Sequence, residues 1–336
     1  MENLLALLDT VLDVTVMPLA LLILLGLLTV AVLYVIDVTQ TTQAIRKNYP
    51  VIGRLRYVFE HLGVFFRQYF FAMDREELPF NRAQRTWVAR AAKRIDSTVA
   101  FGSTKPLNRP GDIFFLNGAF PPTAEEIQAH TPTPVIFGEA SVAKPYIAPS
   151  LFNISAMSYG ALSGPAISAL SQGAYQSGIW LNTGEGGLSP FHRQAPCDLV
   201  FQIGTAKYGV RDEQGRLDVS KLTELAAIPE IKMFEIKLSQ GAKPGKGGIL
   251  PGEKVTEVIA STRGIPAGQD SISPNRHPEV TSVESLLDLI QTVRDVSQKP
   301  TGIKFVLGQT QWLDDFCAAI HTRGISSAPD FITLDS

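Results

Sequence analysis

The chain of 336 residues holds two cysteines, Cys197 and Cys317, far apart and with no CxxC pair or Cys/His cluster beside them. That scarcity excludes a disulfide framework and a zinc site. It leaves both thiols reading as small buried hydrophobes in a reducing compartment. Charge of either sign is sparse as well: Lys plus Arg number 30 against 32 Asp plus Glu, a net charge of -2, with no basic run interleaved with aromatics. A nucleic-acid surface is therefore unsupported, and small-metabolite chemistry is the expectation. The phosphate loop GxxxxGK[ST] is missing too, because the nearest stretch, "GAKPGKGG" (241–248), has no Ser or Thr after its Gly-Lys pair. That argues against a P-loop ATPase. No Lys or Arg precedes the first apolar run and no small-x-small pattern follows it, which argues against a cleaved signal peptide.

What is there begins with that run. From Val14 to Ile36 the sequence carries no charge, and as a helix it is about 35 Å long at ~1.5 Å per residue, enough to span a bilayer. Arg46, Lys47, Arg54 and Arg56 follow it, so the positive-inside bias predicts a single-pass anchor (domain 1–45) with the remainder in the cytoplasm. Residues 46–145 read as a helical and loop-rich connector. Within it Leu55, Val58, Phe59, Leu62, Phe65, Phe66 and Tyr69 recur at helical spacing among arginines. Two roles stay open for that helix: lying on anionic lipid, or packing its aromatic stripe on the following domain. Asn81 is the expected cap of a further helix, and residues 97–150 are expected to be loops.

From about residue 146 the texture changes to short apolar runs, each ending in Gly, Ser, Asn or Asp. "LFNISAM", "IWLNT", "LVFQIG", "MFEIKLS", "GIKFVLG" and "FITLD" are six such runs, with helices predicted after Ser163 and after Ser282. This is βα punctuation. The predicted fold is α/β: a (β/α)8 TIM barrel of which about six βα units are present (146–336), with ligands expected at the C-terminal strand ends. Parallel strands without neighbours leave unpaired edges, so the sequence is expected to be a C-terminally truncated barrel.

Four strand ends carry "SAMSYGALSG" (155–164), "NTGEGG" (182–187), "QIGTAKYGV" (202–210) and "KLSQGAKPGKGGILPGEKV" (237–255) in that order. Singly, such glycines mean turns. Jointly they resemble the FMN-binding barrel domain of the glutamate synthase family, in its stand-alone, membrane-anchored branch. The resemblance continues through "TRGIPAGQDSISPNRH" and "GIKFVLG" and covers roughly residues 145–336. It implies an FMN oxidoreductase that reduces 2-iminoglutarate, formed from 2-oxoglutarate and ammonia, to L-glutamate. The implied electron donor is ferredoxin or an NAD(P)H-linked partner. It also implies a catalytic group of Glu185, Lys237, Gln240 and Lys243, with Arg263 and His277 as substrate ligands. Ala156, Met157, Ser158, Asn182, Thr183, Gln202 and Lys304 are the implied FMN contacts.

The residue types suit those roles. A strand lysine such as Lys304 lowers the cost of negative charge on a reduced flavin edge, and Lys237, Lys243 and the planar fork of Arg263 suit a dicarboxylate. Lys246 reads as a surface charge. The sequence also departs from the family pattern. No amidotransferase cysteine stands at position 2, which is Glu2; the iron–sulfur cysteines and the Gly-Gly-Thr-Gly loop do not occur; and Ile249 stands where the larger enzymes are usually polar. Two other readings therefore stay open: an FMN oxidoreductase acting on another 2-oxo or 2-hydroxy acid, and a non-catalytic membrane-anchored scaffold.

Overall fold

The computed structural model describes residues 16–73, 75–96, 110, 111, 113, 116, 118–130, 133–241, 245 and 247–335. The chain divides into two units, Met1–Asn117 and Gly118–Ser336.

The first unit is helical: α1 (Met17–Thr39), α2 (Ala44–Asn48), α3 (Gly53–Phe66, running into a π-helical turn, Arg67–Phe71) and α4 (Arg82–Ala92). Among the described residues α1 alone is long and apolar enough to cross a membrane, and none of its apolar window is buried within the protein. Asp37, in its last turn, is fully buried and ties the next two helices to it. Its carboxylate accepts from Nε of Arg46 (2.8 Å), Nε and Nη2 of Arg54 (2.8 and 2.7 Å) and the backbone N–H of Val51 (3.0 Å). The last bond fixes Val51 at φ 65°, which a β-branched residue rarely adopts. Asn81 caps α4 as expected, in a capping box with Gln84.

In the second unit, α5 (Ala124–Ala129) precedes an antiparallel hairpin of β1 (Val135–Phe137) and β2 (Tyr146–Ala148). The loop-rich region thus contains one short helix and two short strands. The strands are three residues each, too short for a period to show in the sequence. The parallel sheet comprises β3 (Leu181–Asn182), β4 (Leu199–Ile203), β5 (Ile231–Lys237), β8 (Thr301–Val306) and β9 (Ile332–Asp335), in the order β3-β4-β5-β8-β9. The run at 151–157 contributes a single parallel bridge, Ile154 to Leu181. All six predicted runs are therefore found in one curled half-barrel. Inserted between β5 and β8 are a two-stranded ribbon, β6 (Ile249–Leu250) with β7 (Ser271–Ile272), and the helix α8 (Glu257–Arg263).

Crossover helices α6 (Gly164–Ser177), α7 (Val219–Ala226), α9 (Val283–Ser297) and α10 (Gln311–Arg323) cover the outer face. Ser163 and Ser282 cap α6 and α9, as the sequence predicts. Period two along each strand divides the side chains. Leu199, Phe201, Ile203, Phe234, Ile236, Ile303 and Phe305 join the helices in one buried cluster. The opposite set faces inward: an apolar floor of Val200 and Met233, with Phe137, Tyr146, Trp180 and Phe331 packed on it, and above it the polar residues of the site. Gly302 has no side chain because the Phe331 ring lies across it; an added Cβ would come within 2.4 Å of that ring. Cys197 is buried as expected, whereas Cys317 is exposed on α10.

Candidate functional site

Strand register sets the inward residues beside one another: Asn182 against Val200, Gln202 against Glu235, Lys237 against Lys304, and Lys304 against Thr333. They surround a cavity of about 340 Å³ lined by Asn153, Ala156, Asn182, Glu235, Lys304 and Thr333 above Met233 and Phe331. That size and mixture of apolar wall with a few polar groups is typical of a small-molecule site.

Glu235, which sequence reasoning missed, is the acceptor at the centre. It is 3 % exposed. Its Oε2 accepts from Nδ2 of Asn182 (2.9 Å) and from Nε2 of Gln202, while its Oε1 accepts from Oγ1 of Thr333 (2.6 Å). A carboxylate cannot face an amide oxygen favourably, so these bonds fix which way both amides point. Two expected cofactor contacts are thereby committed within the protein. Asn182 also accepts Gly184 N–H through Oδ1, and Thr183 Oγ1 donates to Gly184 O and accepts from Gln202 N–H. Met157 is likewise spent: its N–H donates to Asn182 O and its carbonyl meets Nε2 of His192. Ser158 packs against Gly184, where a Cβ would reach its Oγ at 2.4 Å. Of the expected flavin contacts, Ala156 and Lys304 border the cavity with free reach, and Lys304 is held 3.0 Å from Asp335 Oδ1. Asp335 was missed as well.

At the C-terminal end of β5 lies a second constellation. Gln240 Nε2 donates to both oxygens of Glu185 (2.8 and 2.6 Å), and Gln240 Oε1 accepts from Lys237 Nζ at 2.9 Å. Lys237 Nζ stands 3.4 Å from Glu185 Oε2, and both side chains are mostly buried. Three of the four expected catalytic residues are therefore brought together. Lys243 lies outside the described residues, as does Lys246. The glycines explain how three loops close on one carboxylate. A Cβ on Gly204 would meet Glu185 Cβ at 2.6 Å, and one on Gly248 would meet Glu185 Oε1 at 2.8 Å.

Arg263 and His277 are placed differently from a substrate fork. Arg263 is 7 % exposed. Its Nη1 donates to Ser271 Oγ (3.0 Å) and its Nη2 to Tyr159 O (3.3 Å), and its guanidinium lies 4.9 Å over the Tyr208 ring. Burial lowers its pKa. It ties together the loops that carry Tyr159 and Ser271. His277 Nε2 sits 2.9 Å from Lys237 O and must donate there, leaving Nδ1 as a lone pair without a partner. Burial first, and Lys207 second, hold this imidazole well below its ordinary pKa, at about 4. The Lys207 ammonium is almost wholly buried and pairs with Glu279 at 3.0 Å. The His277 ring thus supports the strand end that carries Lys237. Among the described residues no group of three or more His, Cys, Asp and Glu is arranged to hold a metal ion.

Period two along β5 is the signal for Glu235, since it stands two residues before Lys237 and so shares its face. No such signal marks Asp335 as the partner of Lys304, because that pairing depends on strand register.

Comparison with known proteins bears on this site. Residues 121–336 match the family model described as "Conserved region in glutamate synthase". The chain is 35 % identical to a glutamate synthase large subunit-like protein, YerD, of Bacillus subtilis, over 90 % of this chain and 64 % of that protein. It is 36 % identical to an archaeal-type glutamate synthase [NADPH] of Thermotoga neapolitana, over 59 % of this chain and 37 % of that protein. A glutamate synthase large subunit-like protein of Rhizobium meliloti is 30 % identical over 73 % of this chain and 52 % of its own length. The chain therefore spans between about a third and two thirds of the length of these relatives.

Proposed function

The chain belongs to the glutamate synthase family, and from that premise we propose that the protein is an FMN-dependent oxidoreductase that reduces 2-iminoglutarate to L-glutamate. The observation that carries the reading is the Lys237–Gln240–Glu185 chain of hydrogen bonds at the end of β5, next to the inward-facing Lys304.

The residues fit a flavin and a dicarboxylate. The cavity offers an apolar floor for a planar ring, and Lys304 offers a cation for its electron-rich edge. FMN, when bound, supplies the hydride. Lys304, held beside Asp335, would sit at the electron-rich edge of the flavin and offset negative charge there. Lys237 and Lys243 hold the substrate carboxylates, with Arg263 acting through the loops it ties. Gln240 aligns Glu185, whose carboxylate orders the imine nitrogen and relays to it, from solvent, the proton that balances the hydride. His277 keeps the Lys237 backbone in place. The substrates are 2-oxoglutarate and ammonia, and the electron donor is a ferredoxin or an NAD(P)H-linked partner. Helix α1 is proposed as a single-pass anchor in membrane lipid with the barrel on the cytoplasmic side, supported by its length and exposure.

The test is glutamate formation from ammonia and 2-oxoglutarate by the full-length protein with a chemical reductant. Turnover that needs FMN and falls in Lys237→Ala at sub-saturating 2-oxoglutarate is expected. Flavin reoxidation by another 2-oxo acid with none by 2-oxoglutarate plus ammonia refutes the substrate assignment.

A further inference from the structure

At the other end of the strands from Lys237, a cavity of about 430 Å³ opens beside the first residues of β5 and just before β8. Its walls include Lys144, Tyr146, Pro229, Lys232 and Lys299. Lys299 is 9 % exposed. Its ammonium donates to the carbonyls of Ile228 and Ile231, which spends two of its three N–H groups. Lys232 stands 3.5 Å from Asp198 Oδ1, and the other oxygen of Asp198 accepts from Tyr146 O–H at 2.9 Å. Lys144 has no ion pair among the described residues. Glu230, next in the chain to Pro229, is paired with Arg193 at 3.7 Å. Three ammonium groups thus line one hole, and among the described residues only Lys232 of the three has a carboxylate against it, that of Asp198, an excess of two positive charges. Capping the carbonyls after α7 accounts for Lys299 alone. It gives no reason for Lys144 and Lys232, from the hairpin and from β5, to line the same hole.

We propose that this cavity is a binding site for a small dianion, a phosphoryl-type or dicarboxylate group, held by Lys144, Lys232 and Lys299 and separate from the Glu185–Lys237 site. Lysines suit such a ligand because each is a compact point charge that needs no fixed fork geometry. Burial, and then Lys232 and Lys144, lower the pKa of Lys299 to about 8. A bound dianion offsets the repulsion from both neighbours and favours the charged form. Binding therefore takes up a proton on Lys299, and affinity falls as pH rises through about 8. The groups facing Lys299 that enter this balance are Lys144 and Tyr146 from the hairpin and its approach, Lys232 from β5, and Asp198 from the start of β4.

Sulfate and succinate serve as probes, both fully dianionic from pH 7 to 9. Each is titrated calorimetrically into the full-length protein at constant ionic strength made up with chloride. The expected result is saturable binding of at least one probe, weakened by about tenfold between pH 7 and pH 9, and lost in Lys144→Gln/Lys232→Gln. That double variant alters partly or fully exposed residues, and retained far-UV circular dichroism establishes that it folds. Binding of sulfate alone identifies a phosphoryl-type site, and of succinate alone a dicarboxylate site. Equal affinity in the double variant, or heats that match a chloride titration, overturns the proposal.

Discussion

The buried carboxylate of Glu235 makes a sharp test of how the barrel interior is held. Three donors end on it, from Asn182, Gln202 and Thr333. In Glu235→Leu they lose their acceptor while remaining buried, and at about 1–3 kcal/mol for each of the three unsatisfied groups the expected loss is about 3–9 kcal/mol. Glu235→Gln is different. Its amide oxygen takes the place of Oε2 and accepts from Asn182 and Gln202. Its amide nitrogen faces Thr333, whose hydroxyl rotates and becomes the acceptor. The same three contacts survive as neutral bonds, each weaker by roughly 1 kcal/mol, and the several kcal/mol needed to bury a charge is recovered. The expected stability of Glu235→Gln is therefore within about 1 kcal/mol of the parent. Urea unfolding followed by circular dichroism, with the slope checked for constancy, measures both variants. Equal damage from Gln and Leu refutes the reasoning, since it shows that the negative charge itself, rather than the acceptor geometry, holds the interior together. Adding Thr333→Val to Glu235→Gln then provides the control: it leaves the new amide N–H unpaired and costs about 1–3 kcal/mol.

Other consequences follow from the same geometry. His277 is held neutral with its pKa lowered from 6.5 to about 4, so the unfolded chain binds more protons between these values. Stability is fully present above pH 6.5 and is lost as pH falls toward 4, and urea midpoints against pH should show this dependence reduced by about one proton in His277→Gln. Gly248→Ala puts a methyl group 2.8 Å from Glu185 Oε1; kcat/KM for glutamate formation is expected to fall by roughly 10–100-fold, because a displacement of ~1 Å is enough to do so. Steady-state assays should find Lys237→Ala and Lys243→Ala raising KM for 2-oxoglutarate at least about tenfold, and Lys246→Ala near the parent value.

Much of this architecture is legible in the sequence because it is local. Each of the six apolar runs is bounded by turn residues, and the caps Asn81, Ser163 and Ser282 each precede a helix by one position. The Glu185–Gln240–Lys237 group was legible for another reason, since each member belongs to a motif at a strand end. What escaped depends on register and packing. Asp335 reaches Lys304 because β9 pairs with β8 so that Thr333 stands opposite Lys304, which puts Asp335 on the same face two residues further on, and no spacing in the chain encodes that. Arg263 reads as a fork for a substrate carboxylate until Tyr159, Tyr208 and Ser271 are seen to enclose it. Asn182 and Thr183 sit in a glycine motif expected to meet a cofactor, yet their polar atoms are spent on Glu235, Gly184 and the backbone of Gln202. Position in a motif reports where a residue is. It does not report whether its donors are already taken.

The elbow around Asp37 changes what the basic residues after α1 can do. Arg46, Lys47, Arg54 and Arg56 carry the orientation bias, which is read by counting cations during insertion and largely ignores nearby acids. Once the unit has folded, Arg46 and Arg54 share the single Asp37 carboxylate and Arg56 pairs with Glu60, so that two of the four positive charges are offset, and Lys47 is the one cation of the four without a carboxylate against it among the described residues. Under the proposed anchoring the same arginines act twice in time, first as a topological signal and then as a brace. With that anchoring, attachment then rests chiefly on hydrocarbon burial by α1, with a contribution from anionic headgroups smaller than four free cations would give. It should therefore persist at salt concentrations that strip a polybasic tether from a vesicle.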